Sequence, residues 1–299
     1  MRSGPPLGIG TWAWGDRYFW GYGQEFGEPE VRAAFAAAVE AGITLFDSAE
    51  IYGNGDSERL LGRCVRASGA TVEVATKFFP FPWRLFRKGS LARALRSSLA
   101  RLGLERVALY QIHWPLPLLP GALWADELAD CVRAGLAEGV GVSNYSASQM
   151  SSMHAALARR GVKLLSNQVH YNLLHRRPER DGVLQACRDL DVRLIAYTPL
   201  ASGLLTGKYD VDRPPPGIRR RRVGRMLRRS TQIVPLLREM GAAHGGRTPA
   251  QVSLNWLMCK GAVPIPGAKS AEQARENAGA LGWQLGPDEV ERLDRLSAT

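Results

Sequence analysis

Two periodicities alternate along this chain. Short runs rich in β-branched and aromatic residues begin near Leu7 (LGIGTW), Ile43 (ITLFDS), Thr71 (TVEVATK), Val107 (VALYQIHW), Gly139 (GVGVSN), Leu164 (LLSNQVHY), Arg193 (RLIAYT) and Ala262 (AVPIPG). Between them lie longer stretches with apolar residues at helical spacing, such as Leu91, Leu95, Leu99 and Leu102. The predicted helices cover 29–41, 56–67, 90–102, 125–138, 148–160, 178–190, 231–244, 249–260 and 287–297. Pro29 and Gly42 suit the start and stop of the first, and Thr248-Pro249 caps the one at 249. From Ile43 to Arg193 the strand starts are 28, 36, 32, 25 and 29 residues apart, each the size of one βα unit. Several strands are apolar at both parities, as strands covered on both faces should be. The pattern predicts an α/β fold with a single (β/α)8 barrel over residues 1–299. A doubly wound sheet with fewer strands is the competing architecture. The last two strand starts are 69 residues apart, so that interval must hold an insertion and an extra helix.

Composition changes this picture little. Hydrophobic residues make up 45% and charged residues 22% of the 299, a globular balance. No run approaches the roughly 18–20 apolar residues of a membrane helix. The segment before Leu7 has no apolar h-region, so a cytoplasmic protein is expected. Cys64, Cys131, Cys187 and Cys259 form no CxxC pair and have no histidine at metal-ligand spacing; buried free thiols are expected, and no metal site.

The net charge of +11 raises the question of nucleic acid, and its distribution answers it. Residues 213–229 hold eight arginines and no acidic residue, which leaves 11 − 8 = +3 for the rest. That run lacks the stacking aromatics of a single-strand binder, so no nucleic-acid partner is expected. It is read as a mobile, solvated, arginine-rich insertion between the seventh and eighth strands.

Gly8-x-Gly10-x-x-Ala13 fits the dinucleotide fingerprint, but that motif needs a strand before it and a helix opening within it. A glycine- and aromatic-rich loop follows here, so the match is rejected. Chemistry in a barrel sits instead at the C-terminal ends of strands. Those positions give Asp47, Tyr52 in the loop beyond it, Lys77 and His113. A lysine ammonium lowers the pKa of a nearby phenol, an aspartate holds the lysine, and a histidine orients a carbonyl oxygen. Such a set suits proton delivery to an oxygen that gains negative charge. Singly, each of the four has an ordinary structural role open to it.

Asp47-Ser48-Ala49-Glu50-Ile51-Tyr52-Gly53-Asn54-Gly55 with Ser57-Glu58 resembles the first signature of the aldo-keto reductase family. VATK at Lys77, QIHWP at His113, Gly141-Val142-Ser143-Asn144, Asn167-Gln168, Tyr197-Thr198-Pro199-Leu200 and the terminal IPGAKSAEQARENAGA resemble its later signatures, in order. The resemblance spans about residues 7–280. It implies an NADPH-dependent reductase of small-molecule aldehydes or ketones, with Asp47, Tyr52, Lys77 and His113 as catalytic tetrad and Tyr52 as general acid. It assigns Ser143, Asn144 and Gln168 to the nicotinamide carboxamide and Tyr197 to stacking on the ring. Pro199, Leu200, Gly203 and Leu205 fall in the loop that covers the cofactor. Lys269, Ser270 and Arg275 would hold the 2′-phosphate of NADPH/NADP+, with Gln273, Glu276 and Asn277 on the adenine side. Aromatic residues of the first loop, among them Trp20, together with Trp83 and Trp114, are expected to line a pocket for an apolar or aromatic carbonyl. The alternative is an NADP-binding redox sensor with little turnover.

Overall fold

The computed structural model describes residues 5–85, 87–116, 119–215 and 224–298. Eight strands follow one another around a sheet in chain order, every neighbouring pair parallel. They are β1 (Gly8–Gly10), β2 (Leu45–Asp47), β3 (Glu73–Phe78), β4 (Val107–Ile112), β5 (Ala137–Ser143), β6 (Leu164–His170), β7 (Arg193–Tyr197) and β8 (Ala262–Ile265). The ring closes at Gly10, whose N–H donates to the Pro266 carbonyl at 3.0 Å and which bridges Gly267. A Cβ at Gly10 would stand 2.9 Å from the Ile265 carbonyl oxygen, so closure requires glycine. The rejected fingerprint glycines thus serve packing, and turns follow them, not a helix.

Around the barrel run α1 (Glu28–Glu40), α2 (Asp56–Ser68), α3 (Ser90–Leu102), α4 (Ala125–Arg133), α5 (Ala147–Ala158), α6 (Arg177–Arg180) and α7 (Val183–Asp189). α8 (Gly224–Ala243) and α9 (Pro249–Cys259) occupy the long interval before β8, and α10 (Ala271–Ala278) and α11 (Pro287–Ser297) follow it. The predicted helix over 231–244 begins earlier, at Gly224, and two others are cut by glycines. The one over 125–138 stops at Arg133, because Gly135 turns the chain at φ 70° and Ala137 already begins β5. The one over 178–190 divides at Gly182, φ 72°, into α6 and α7. Half of the arginines of the run, Arg219 to Arg222, lie at 216–223, outside the described residues; Arg213 pairs with Asp210, and Arg225, Arg228 and Arg229 fall in α8.

Strand parity creates two cores. Outward side chains such as Phe46, Val74, Phe78, Tyr110 and Ile112 pack under the helices. Inside, Leu45, Ala75, Leu109, Ile195 and Val263 form an apolar layer. Two residues further along, the inward positions of four of these strands are Asp47, Lys77, Gln111 and Tyr197, while β8 keeps the apolar Ile265. The interior therefore changes from apolar to polar toward the C-terminal ends of the strands. Cys64, Cys131 and Cys187 are buried free thiols in α2, α4 and α7, and Cys259 is half-buried. Among the described residues no helix is long and apolar enough to cross a membrane.

Candidate active site

Asp47 ends β2, and the next turn lifts Tyr52 above the barrel rim. Gly53, Asn54 and Gly55 are left-handed in succession, with φ 54°, 54° and 90°. A Cβ at Gly53 would meet the Gly15 carbonyl oxygen at 2.7 Å, so that loop packs directly on the turn. Below it, Ser57 fixes the turn to β1 and β2 through Thr11 Oγ1 (2.7 Å), the Thr11 carbonyl (2.9 Å) and Ser48 Oγ (2.9 Å). Glu58 accepts from Thr76 Oγ1 at 2.5 Å and from Arg101 Nε at 2.6 Å. Much of the first signature is thus a scaffold for Tyr52.

The four candidate catalytic residues converge. Lys77, fully buried, pairs with Asp47 Oδ1 and donates to the Ser48 carbonyl at 2.7 Å. Its ammonium lies 5.0 Å from the centroid of the Tyr52 ring. The His113 imidazole stands edge-on to that ring, 5.6 Å between centroids and 82° between planes. Gln111 Nε2 (3.1 Å) and Gln168 Nε2 (2.9 Å) both donate to Asp47 Oδ2. The carboxylate therefore has three donors and is fixed from three strands.

Burial raises the Tyr52 pKa, against the lowering pull of Lys77. The expected net lowering by lysine is outweighed by desolvation, and Tyr52 is a neutral phenol near pH 7. Burial disfavours the Lys77 ammonium, yet Asp47 and Tyr52 together hold its pKa above the ordinary lysine value. Burial, with the Lys77 charge second, pushes His113 down to about 3, so its imidazole is neutral. Its Nδ1 is buried with no hydrogen-bond partner among the described residues.

A depressed folded-state pKa means that the unfolded chain binds the extra proton. His113 should therefore leave stability intact above its unfolded pKa of about 6.5 and erode it as pH falls toward 3, by at most about 1.4 kcal/mol per pH unit. Urea midpoints measured from pH 7 to 4 should fall less steeply in His113→Gln than in wild type. His170, pushed down to about 4, leaves a residual slope.

The predicted cofactor residues form a second arc. Ser143 Oγ donates to the Gln168 carbonyl at 2.8 Å, and Asn144 Nδ2 donates to Ser143 Oγ (3.0 Å) and the His113 carbonyl (3.1 Å). Tyr197 donates its hydroxyl to Asn144 Oδ1 at 3.0 Å, which fixes its ring at the rim. Beyond it, Pro199 and Leu200 lead into a 3-10 turn, Ala201–Thr206, with Gly203 at φ 95°. Leu205 is fully buried, so its side chain belongs to the core. Ser270 caps α10 by accepting from the Gln273 N–H. Lys269 pairs with Glu25 at 2.9 Å, while Arg275 and Glu276 lie further along α10 and Asn277 Nδ2 donates to the Gly267 carbonyl at 3.2 Å.

Residues 6–298 match the Aldo/keto reductase family. The chain belongs to that family. Members of it are NADP-dependent oxidoreductases acting on carbonyl groups, and so is this protein. It is 42% identical to a chloroplastic pyridoxal reductase of Arabidopsis thaliana, over 98% of this chain and 84% of that protein. It is 35% identical to the L-glyceraldehyde 3-phosphate reductase of Escherichia coli K12, over 93% of this chain and 84% of that protein. An aldo/keto reductase of Klebsiella pneumoniae, solved with NADP and acetate, superposes with a TM-score of 0.76 at 28% identity, over 98% of this chain and 91% of that one.

In this aldo/keto reductase a continuous file of rings crosses the mouth. Trp83 stacks on Phe81 (4.5 Å), Phe81 meets Phe79 (4.7 Å), and Phe79 meets His113 (5.7 Å). Beyond Tyr52 the file continues to Trp12 at 6.4 Å, and Trp12 meets Trp20 edge-on at 5.5 Å. Trp20 and Trp83 thus sit at its two ends. Trp114 is 45% exposed beside His113 in sequence, with no ring contact among the described residues.

Sequence reasoning overlooked Gln111, although its parity with His113 two residues on marks it as inward-facing. It also overlooked His170, whose ring stacks on Tyr197 at 5.3 Å and on His175 at 4.1 Å. Among the described residues no cluster of three or more potential metal ligands occurs.

Proposed function

We propose that this protein, a single barrel domain over residues 1–299, reduces an aldehyde or ketone to the alcohol with NADPH, with Tyr52 as general acid. The observation that carries this reading is a neutral, half-buried phenol beside a lysine ammonium, itself held by an aspartate, at the open end of the barrel. NADPH, when bound, supplies the hydride. His113 orients the carbonyl oxygen, and Tyr52 gives that oxygen its proton as negative charge builds. Lys77, kept charged by Asp47, stabilises the phenolate that remains. The reverse oxidation uses the same groups.

The donor set fits the cofactor. Ser143, Asn144 and Gln168 would hold the carboxamide, although the Ser143 hydroxyl already donates within the protein and Gln168 Nε2 donates there twice, to Asp47 and Gln111. The Gln168 amide oxygen accepts no hydrogen bond among the described residues and is free for the cofactor amide. Tyr197 presents a ring locked through its hydroxyl. A capped helix start with Ser270, Lys269 and Arg275 suits a phosphate dianion, with Gln273, Glu276 and Asn277 toward the adenine. The 2′-phosphate has to draw Lys269 away from Glu25.

The ring file supports an apolar or aromatic carbonyl substrate, and the Arabidopsis relative is named for pyridoxal, a heteroaromatic aldehyde. A cytoplasmic location belongs to the same reading. Loss of NADPH absorbance over a panel of aromatic, aliphatic and small charged aldehydes tests it. Aromatic aldehydes should show the highest kcat/KM. Tight NADPH binding without any turnover would instead make the protein a redox sensor. Lys269→Ala with Arg275→Ala should weaken NADPH binding at least about tenfold more than NADH binding, as lost charge-assisted contacts to the phosphate would. Equal losses for the two nucleotides would remove these side chains from the 2′-phosphate.

A further inference from the structure

The loop before α3 and the helix itself carry Arg84, Arg87, Lys88, Arg93, Arg96 and Arg101, with no acidic residue from 84 to 101. Arg93, Ser97 and Arg101 recur at helical spacing and share one face of α3. That face walls a cavity of about 350 Å³, completed by Trp83, Arg84, Arg87 and the Glu50 carboxylate.

The four guanidiniums are not equivalent. Arg84 is paired with Glu50, and Arg101 with the buried Glu58. Those acids fix two arginines in the wall and cancel their charge. Among the described residues Arg93 gives hydrogen bonds only to the carbonyls of Lys88 (2.9 Å) and Arg87 (3.5 Å). Arg87 has no ion pair among the described residues. The start of α3 is separately closed by Glu127, which accepts from the N–H groups of Gly89 (3.0 Å) and Leu91 (2.8 Å). The unbalanced positive charge thus comes from Arg87 and Arg93, not from the helix end.

The cavity adjoins the candidate active site. Trp83, 60% exposed, lines it and also ends the ring file that leads to Tyr52. Glu50 lies two residues before Tyr52 and accepts from the Phe79 N–H at 2.6 Å.

We propose that this cavity binds the phosphate or polyphosphate group of a small molecule, with the anion on Arg87 and Arg93 and an adjoining ring against Trp83. Planar guanidiniums bind phosphate oxygens two at a time, and a cleft lined by one sign of charge concentrates such ligands. Two sources share this chemistry: the anionic tail of a long carbonyl substrate whose reacting end lies at Tyr52, or a separate effector. The first source rests on the reductase reading; the site itself does not.

Titration calorimetry with tripolyphosphate tests it on protein saturated with NADP+, so that cofactor phosphate contacts are already filled. Wild type should bind. Arg87→Gln/Arg93→Gln, two exposed changes of which the second falls in α3 and keeps a good helix former there, should bind at least about tenfold more weakly with NADPH affinity unchanged. No binding by wild type, equal binding by the two proteins, or a parallel loss of NADPH affinity would each overturn the proposal. Two 4-alkoxybenzaldehydes, one ending in phosphate and one in methyl, identify the source. A higher KM in the double variant for the phosphate tail alone places the anion on the substrate. Unchanged KM for both, with tripolyphosphate binding lost, places it on an effector. If neither aldehyde reacts with wild type, the reductase reading fails and the titration still decides the cavity.

Discussion

Tyr52→Phe should turn over carbonyl substrates at least about a thousandfold more slowly than wild type while binding NADPH equally well. General acids contribute about 10²- to 10⁴-fold, and a thousandfold is about 4 kcal/mol of barrier. Here the effect belongs in the upper part of that range. The other nearby groups cannot replace the proton: His113 is neutral and its Nδ1 is enclosed, and the Lys77 ammonium is buried beneath the ring and held by Asp47. Phenylalanine keeps the ring contacts with Trp12 and His113, so the pocket should stay formed. The checks are single-turnover NADPH oxidation for chemistry and fluorescence titration for binding. Equal turnover in the two proteins would mean that the proton comes from elsewhere.

The placement of Tyr52 shows what a sequence makes legible. A strand's period of two puts Asp47, Lys77 and His113 on known sides of known strands, and barrel logic puts strand ends at the rim. Strand starts at Val107, Leu164, Arg193 and Ala262 were therefore readable to the residue. The alternation leaves a doubly wound sheet open as well, and the strand order with its closure at Gly10 decides for the barrel. What stayed hidden depends on contacts between distant segments. Nothing in QIHWP says that Gln111 donates to Asp47, since that bond joins residues 64 positions apart. The pairing of Lys269 with Glu25 joins the last βα loop to the first. The sign of the Tyr52 shift also needed the fold, because spacing gives the lysine's pull and only the packed site gives the larger cost of burial. The two misjudged helices are local errors of a different kind. Gly135 and Gly182 are stop signals legible in the sequence, and each turns the chain at a positive φ.

Lys77→Met should destabilise the protein by about 3–5 kcal/mol and abolish turnover. Removing one partner of a buried ion pair leaves the other charge in a poorly hydrated site, and breaking such pairs costs about that much. Lys77 is fully buried and Asp47 nearly so, and after the substitution only Gln111 and Gln168 still donate to the carboxylate. Methionine fills a similar volume, so the loss should come from charge, not from a cavity. Asp47→Asn added to Lys77→Met removes the second charge. That double variant should recover most of the urea-melt stability, because replacing a whole buried pair is far milder than halving it. Its activity should not recover, since the phenolate left on Tyr52 still lacks its cation. Stability and catalysis thus separate in one mutant cycle. If the double variant were as unstable as Lys77→Met, the pair would matter by shape alone. If it regained turnover, the ammonium beneath Tyr52 would have no part in the chemistry.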